Sequence, residues 1–145
     1  MKQYCYSYPR PEVTVDCVAL APGDRGMSVL LIERGREPFQ GKWALPGGFM
    51  NMDEDAETAC RRELKEETGI EAGQMMQLGA YTNPQRDPRG RVVSIAYMAY
   101  LPKIVPAEAR DDAKRAQWFS LDALPELAFD HAHMIRDVRE LMLHP

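Results

Sequence analysis

One stretch of this chain, residues 48–70 (GFMNMDEDAETACRRELKEETGI), constrains the fold more than any other. Its later part is predicted to be a helix over 55–68. Asp53 and Asp55 are candidate N-caps, because a short acidic side chain accepts from the unpaired N–H groups of a first turn. Ala56, Ala59, Cys60 and Leu64 recur at helical spacing, and Gly69 suits a left-handed stop. The carboxylates break this pattern. At about 100° per residue, Glu63 and Glu67 fall within the arc that holds Ala56 and Cys60, with Glu66 beside Ala59. Three unpaired anions on an inward arc raise one another's pKa and cost on the order of several kcal/mol. A hard cation removes that cost, and all-oxygen carboxylate sites suit Mg2+. The competing reading is a solvated helix laced with i,i+4 salt bridges. Arg62 and Lys65 do not share a face with Glu63, so they are expected to pair with it only loosely.

Gly48, Glu54, Arg62, Glu63, Leu64, Glu66, Glu67, Gly69 and Ile70 match every fixed position of the Nudix box. That box reads G, five residues, E, seven residues, then R-E-U-x-E-E-x-G-U, with U a bulky aliphatic. The resemblance implies metal-dependent hydrolysis of a nucleoside diphosphate linked to another group, within an α/β/α sandwich of mixed sheet and helices. It implies Mg2+, with Mn2+ as a substitute, held by Glu63, Glu66, Glu67 and the carbonyl at Gly47. Arg62 matches the arginine that orients a catalytic glutamate, and Glu54 matches a structural position suited to pairing with Arg62. The general base stays open between the box, at Glu63 or Glu67, and a later loop, at Glu108, Asp111 or Asp112.

At 145 residues a single domain over 1–145 is expected, large enough for a real core. The net charge of -4 offers no general attraction to nucleic acid or to an anionic membrane, so an anionic substrate must be received by metal and local arginines. Cys5, Cys17 and Cys60 show no metal-ligand spacing and fit reduced thiols of a cytoplasmic protein. The first residues hold no apolar signal segment, and no run is long enough to span a membrane.

Tyr4, Tyr6 and Tyr8 alternate in residues 1–11, which suits an extended arm. Strands are predicted over 12–20 and 27–33 as a hairpin, then over 75–81, 92–100 and 116–119. The apolar faces of 92–100 argue for a central strand covered on both sides. Segment 34–42 is read as loop, Phe39 and Trp43 are read as packing residues, and 43–48 leads into the box. Asp130 is the candidate cap of a last helix whose apolar face is Met134, Ile135, Val138, Leu141 and Met142. His131 and His133 are read as solvated.

The box does not select the substrate. The loop 83–91 carries Pro84, Pro88, Arg86, Arg89 and Arg91 and resembles the ADP-ribose pyrophosphatase branch. Its arginines are candidates for phosphate or ribose oxygens. The expected substrate is therefore a small nucleotide, ADP-ribose, cleaved to AMP and ribose 5-phosphate. Two alternatives remain: a sanitising hydrolase of modified nucleoside triphosphates, and a non-catalytic ADP-ribose sensor. The intact box, and a chain ending at Pro145 without room for a winged helix, weigh against the sensor. The resemblance carries a homodimer as the oligomeric expectation.

Overall fold

The computed structural model describes residues 3–144. Nine elements follow in order: β1 (Glu12–Gly23), β2 (Gly26–Arg34), β3 (Trp43–Ala44), β4 (Gly47–Phe49), α1 (Ala56–Thr68), β5 (Met75–Tyr81), β6 (Val92–Tyr100), β7 (Ala113–Ser120) and α2 (His131–Leu143). They form a seven-stranded mixed sheet whose main path runs β3-β2-β1-β6-β5, with β4 on β1 and β7 on β2. β6 runs parallel to β1 from Glu12↔Val92 to Leu20↔Tyr100, inside the sheet as expected.

Period-two alternation explains the layers. Val15, Cys17, Ala19 and Ala21 of β1 pack with Ala59, Cys60 and Leu64 of α1. Val18 and Leu20 point the other way and pack with Met134, Ile135 and Val138 of α2. The sheet therefore lies between two helices, which is the expected sandwich. Cys17 and Cys60 are buried together as free thiols, and the contact with Cys17, with burial, pushes the Cys60 thiol far up.

The site depends on how β1 and β2 part. Near their turn they pair directly, from Leu20↔Val29 to Gly23↔Gly26. Further along, β1 takes β4 instead, through Thr14↔Phe49 and Asp16↔Gly47, while β2 takes β3 through Ile32↔Ala44. Segment 43–49 thus bridges two diverging strands. The sequence predicts no strand here; these strands are too short to show a period of two, and their pairing is dictated by partners remote in sequence.

α1 starts and stops as predicted. The Asp55 side chain accepts from Thr58 N–H at 2.9 Å, and Gly69 closes the helix at φ 75°. α2 departs from expectation at both ends. Asp130 occupies the N-cap position but makes no side-chain cap bond, because its carboxylate is taken by Arg86. Leu141 and Met142 are exposed rather than part of the buried face. Among residues 3–11 the three tyrosines are exposed and no strand forms; the Arg10 guanidinium covers the Tyr6 ring at 3.8 Å. The start of the expected arm, residues 1 and 2, lies outside the described residues. No helix among the described residues is long and apolar enough to cross a membrane.

Candidate active site

A cavity of about 490 Å³ opens where β1 and β2 diverge. Gly47, Gly48, Glu63 and Glu67 line it together with Arg34, Arg36, Arg86 and Arg89. Acid and base are interleaved around it: Arg62 meets Glu63, Arg89 is held by Asp87, and Arg36 by Asp112.

Arg62 organises the acids. Its Nε and one terminal nitrogen hold Glu54 at 3.0 and 2.7 Å; the other terminal nitrogen reaches Glu63 at 2.9 Å and Glu66 at 3.1 Å. It also donates to the Phe49 carbonyl at 3.1 Å. Every edge of the guanidinium is therefore used, and the bonds to Glu54 are the main cause of its raised pKa. The contact with Glu63 is a close ion pair, contrary to the loose pairing expected from sequence offset. The long Arg62 side chain curls along the helix surface instead of projecting straight out.

Glu67 is fixed from the other side, where Gly47 N–H donates to Oε1 at 2.8 Å. Burial raises its pKa well above the ordinary range; the Gly47 bond opposes this, and the charges of Glu63, Asp16 and Asp111 add to it. Glu63 is raised in the same direction, chiefly by burial, with Arg62 opposing. Gly47 cannot carry a side chain here, and one on Gly48 would push the Glu63 carboxylate aside. A Cβ on Gly47 would lie 2.1 Å from the Val15 carbonyl, and one on Gly48 2.6 Å from Glu63 Oε1.

Sequence reasoning missed a buried network beneath this cavity. His131, expected to be solvated, is only 3% exposed at its side chain. Its Nδ1 accepts from Leu45 N–H at 3.0 Å, and its Nε2 lies 3.2 Å from Asp16 Oδ1. Ser94 donates to the other Asp16 oxygen, and Arg86 stands 4.0 Å from that oxygen. Arg86 closes the ring through a two-pronged bond to Asp130, at 2.7 and 2.9 Å. Burial disfavours its charge, but Asp130, Asp16 and Asp87 outweigh that and raise its pKa. The network locks segment 45–47 to the start of α2. Its partners lie 86 residues apart at Leu45 and His131, a separation no local pattern reveals.

The remaining candidates separate by position. Glu66 is half-exposed, is held by Arg62 and does not line the cavity. Arg89 lines it, clamped by buried Asp87 at 2.7 Å, with its guanidinium 4.8 Å from the Phe49 ring and 5.4 Å from Phe129. Arg91 donates to the Thr82 carbonyl at 2.8 Å and faces elsewhere. Asp111 and Asp112 line the cavity, with Asp112 paired to Arg36 at 2.9 Å. Glu108 is exposed and pairs with Arg110. Phe39 and Trp43 are packing residues, against Phe129 and Phe119.

A family model for the NUDIX domain matches residues 10–138. The chain belongs to the NUDIX family. It is 44% identical over 132 residues to an ADP-ribose pyrophosphatase of Methanocaldococcus jannaschii, covering 90% of this chain and 74% of that one. It is 35% identical to the ADPR responsive transcriptional repressor NtrR of Acinetobacter baylyi, covering 89% of this chain but only 53% of the repressor. Among solved structures, the NUDIX domain of Shewanella oneidensis NrtR complexed with ADP ribose superposes with a TM-score of 0.88 at 32% identity. That match covers 94% of this chain and 91% of that domain.

The donor chemistry fits a hard divalent cation in part. Glu63 and Glu67 are two partly buried carboxylates whose proton affinity is raised, which is the condition a cation relieves. No three His, Cys, Asp or Glu side chains among the described residues are gathered into a ready-made metal cluster.

Proposed function

We propose that this chain acts as a single-domain hydrolase of ADP-ribose, releasing AMP and ribose 5-phosphate in a cytoplasmic setting. The observation that carries the reading is the presence of two partly buried box carboxylates, Glu63 and Glu67, and several arginines in one cavity. The 44% identity to an ADP-ribose pyrophosphatase supports the choice of substrate.

In the reaction, water adds to one phosphorus and the bridging P–O bond breaks. One product keeps the water oxygen and the other keeps the bridging oxygen. Glu63 and Glu67, with the Gly47 carbonyl, would hold a divalent cation, Mg2+ or Mn2+. That cation supplies charge neutralisation at the phosphate oxygens and a more acidic water. Glu66 remains a candidate ligand; one of its oxygens accepts from Arg62, as one of Glu63's does, and it does not line the cavity. Arg62 aims Glu63, and Gly47 N–H aims Glu67. Arg89 and Arg34, which line the same cavity, receive the diphosphate. Of the loop acids, Asp111 is best placed to take the water proton, because it lines the cavity and its charge is felt by both glutamates, whereas Asp112 is tied to Arg36.

A second reading, an ADP-ribose sensor without turnover, draws on the resemblance to the repressor. Incubation with ADP-ribose and Mg2+, with products resolved by chromatography, separates the two. The enzyme reading expects AMP and ribose 5-phosphate in equal amounts, absent with EDTA. Binding without turnover would leave the sensor.

A further inference from the structure

A second cavity, of about 830 Å³, lies against the first, and the two share Arg86 and Phe129 as a common wall. It opens between β5, the 82–88 loop and the first turns of α2. The mechanism above uses none of its other residues.

Its chemistry is unlike that of the first. Arg86 is the one lysine or arginine among its lining residues, and its guanidinium is 3% exposed and already bound to Asp130. Two carboxylates, Asp130 and Asp137, outnumber it. A phosphate would meet repulsion and no free cation. Flat and polar surfaces are instead available. The Tyr81 and His133 rings meet edge to face with centroids 5.8 Å apart. The Tyr81 hydroxyl donates to Asp137 at 2.7 Å, leaving carboxylate lone pairs for a further donor. Phe129, the partition, is held at φ 52°, a conformation costly for a side chain of this size, and its neighbour Phe39 at φ 61°. Two such residues in contact place an aromatic ring where the cavities meet.

We propose that this second cavity is the subsite for the neutral nucleoside end of the substrate. The base lies against Tyr81 and His133, and the ribose hydroxyls donate to Asp137. The assignment rests on reading the first cavity as the diphosphate site. The substrate passes over Phe129, with charge on one side and the uncharged nucleoside on the other. Aromatic faces with a few convergent polar groups are the usual composition of such a site.

The test is a metal-free titration of the isotope-labelled protein, followed by amide NMR, with adenosine, AMP, ribose 5-phosphate and inorganic phosphate in separate arms. Adenosine and AMP should shift amides at 79–83 and 131–137, and ribose 5-phosphate and phosphate should not. His133→Ala, at a half-exposed side chain, should weaken adenosine binding about tenfold. Tyr81→Ala should do the same, with melting curves reporting whether it folds. Met76→Ala, exposed on the same strand and outside the cavity, should match wild type. Adenosine shifts confined to residues around Gly47 and Glu67, or His133→Ala within twofold of wild type, would overturn the subsite. The same shifts with ribose 5-phosphate would overturn the nucleoside assignment. Wild type binding adenosine here while failing to cleave ADP-ribose would sink the hydrolase reading alone.

Discussion

Glu67 is the residue on which burial and function pull hardest against each other. It needs to be ionised to hold a cation, yet burial raises its pKa well above the ordinary range. A raised folded-state pKa means that the folded chain binds this proton more tightly than the unfolded chain. The resulting stability is complete at acidic pH, below the unfolded value, and fades as pH rises through the folded value. Asp87 runs the other way. Burial pushes its pKa up but Arg89 pulls it below the usual range, so its contribution is lost only as pH falls through that lowered value. Metal-free melting temperature should therefore decline from mildly acidic to neutral pH, and Glu67→Gln should flatten the decline. An unchanged slope in that variant would contradict the assignment. Activity gives a separate check. Glu63→Gln and Glu67→Gln should each lower kcat roughly a thousandfold, about 4 kcal/mol of transition-state stabilisation. Asp55→Asn, which keeps a good cap off the acidic face, should change kcat little. His131 makes a finer test. Asn at 131 can keep the acceptor for Leu45 N–H, and Gln can keep the donor to Asp16. If the Leu45 bond is what holds segment 45–47 under Glu67, kcat in the Asn variant should exceed that in the Gln variant, and the reverse order would assign the role to Asp16.

At the scale of elements, α1 was legible because everything that defines it is local: an aspartate cap, apolar residues at helical spacing and a glycine stop. The placement of Glu63 and Glu67 on one side of that helix was legible for the same reason, whereas Glu66, expected beside them, is half-exposed and outside the cavity. The strands β3 and β4 were not, because two or three residues carry no period and their pairing follows from the divergence of β1 and β2. Asp130 was read correctly as the start of α2 and wrongly as its side-chain cap, since a guanidinium from the 83–91 loop outcompetes a backbone N–H. That same loop revises the three candidate arginines. Arg86 is a buried strut, so Arg86→Ala should act mainly on stability, by about 3–5 kcal/mol, because it leaves the Asp130 carboxylate without its two-pronged partner and takes a positive charge from beside Asp16. Arg91→Ala should be close to wild type in kcat/KM. Arg89→Ala should lower kcat/KM on ADP-ribose about tenfold to a hundredfold with a smaller loss on a nucleoside triphosphate. Kinetics and melts on the three variants distinguish these roles, and a large kinetic loss at Arg91 alone would overturn them.

The whole molecule carries a net charge of -4 and places five of its thirteen arginines, Arg34, Arg36, Arg62, Arg86 and Arg89, around one cavity. It is suited to a small anion brought in with a cation. Mg2+ or Mn2+ should restore activity abolished by EDTA and should raise the melting temperature, since a ligand of the folded state stabilises it by mass action. Full turnover in metal-free buffer would remove the cation from the account. The most direct measurement is kcat/KM for ADP-ribose, NADH, diadenosine polyphosphates and 8-oxo-dGTP, side by side with Mg2+. One arginine-lined diphosphate cavity beside a second cavity of aromatic and acidic lining predicts that ADP-ribose ranks first. A tenfold or greater preference for any of the others would contradict the substrate assignment.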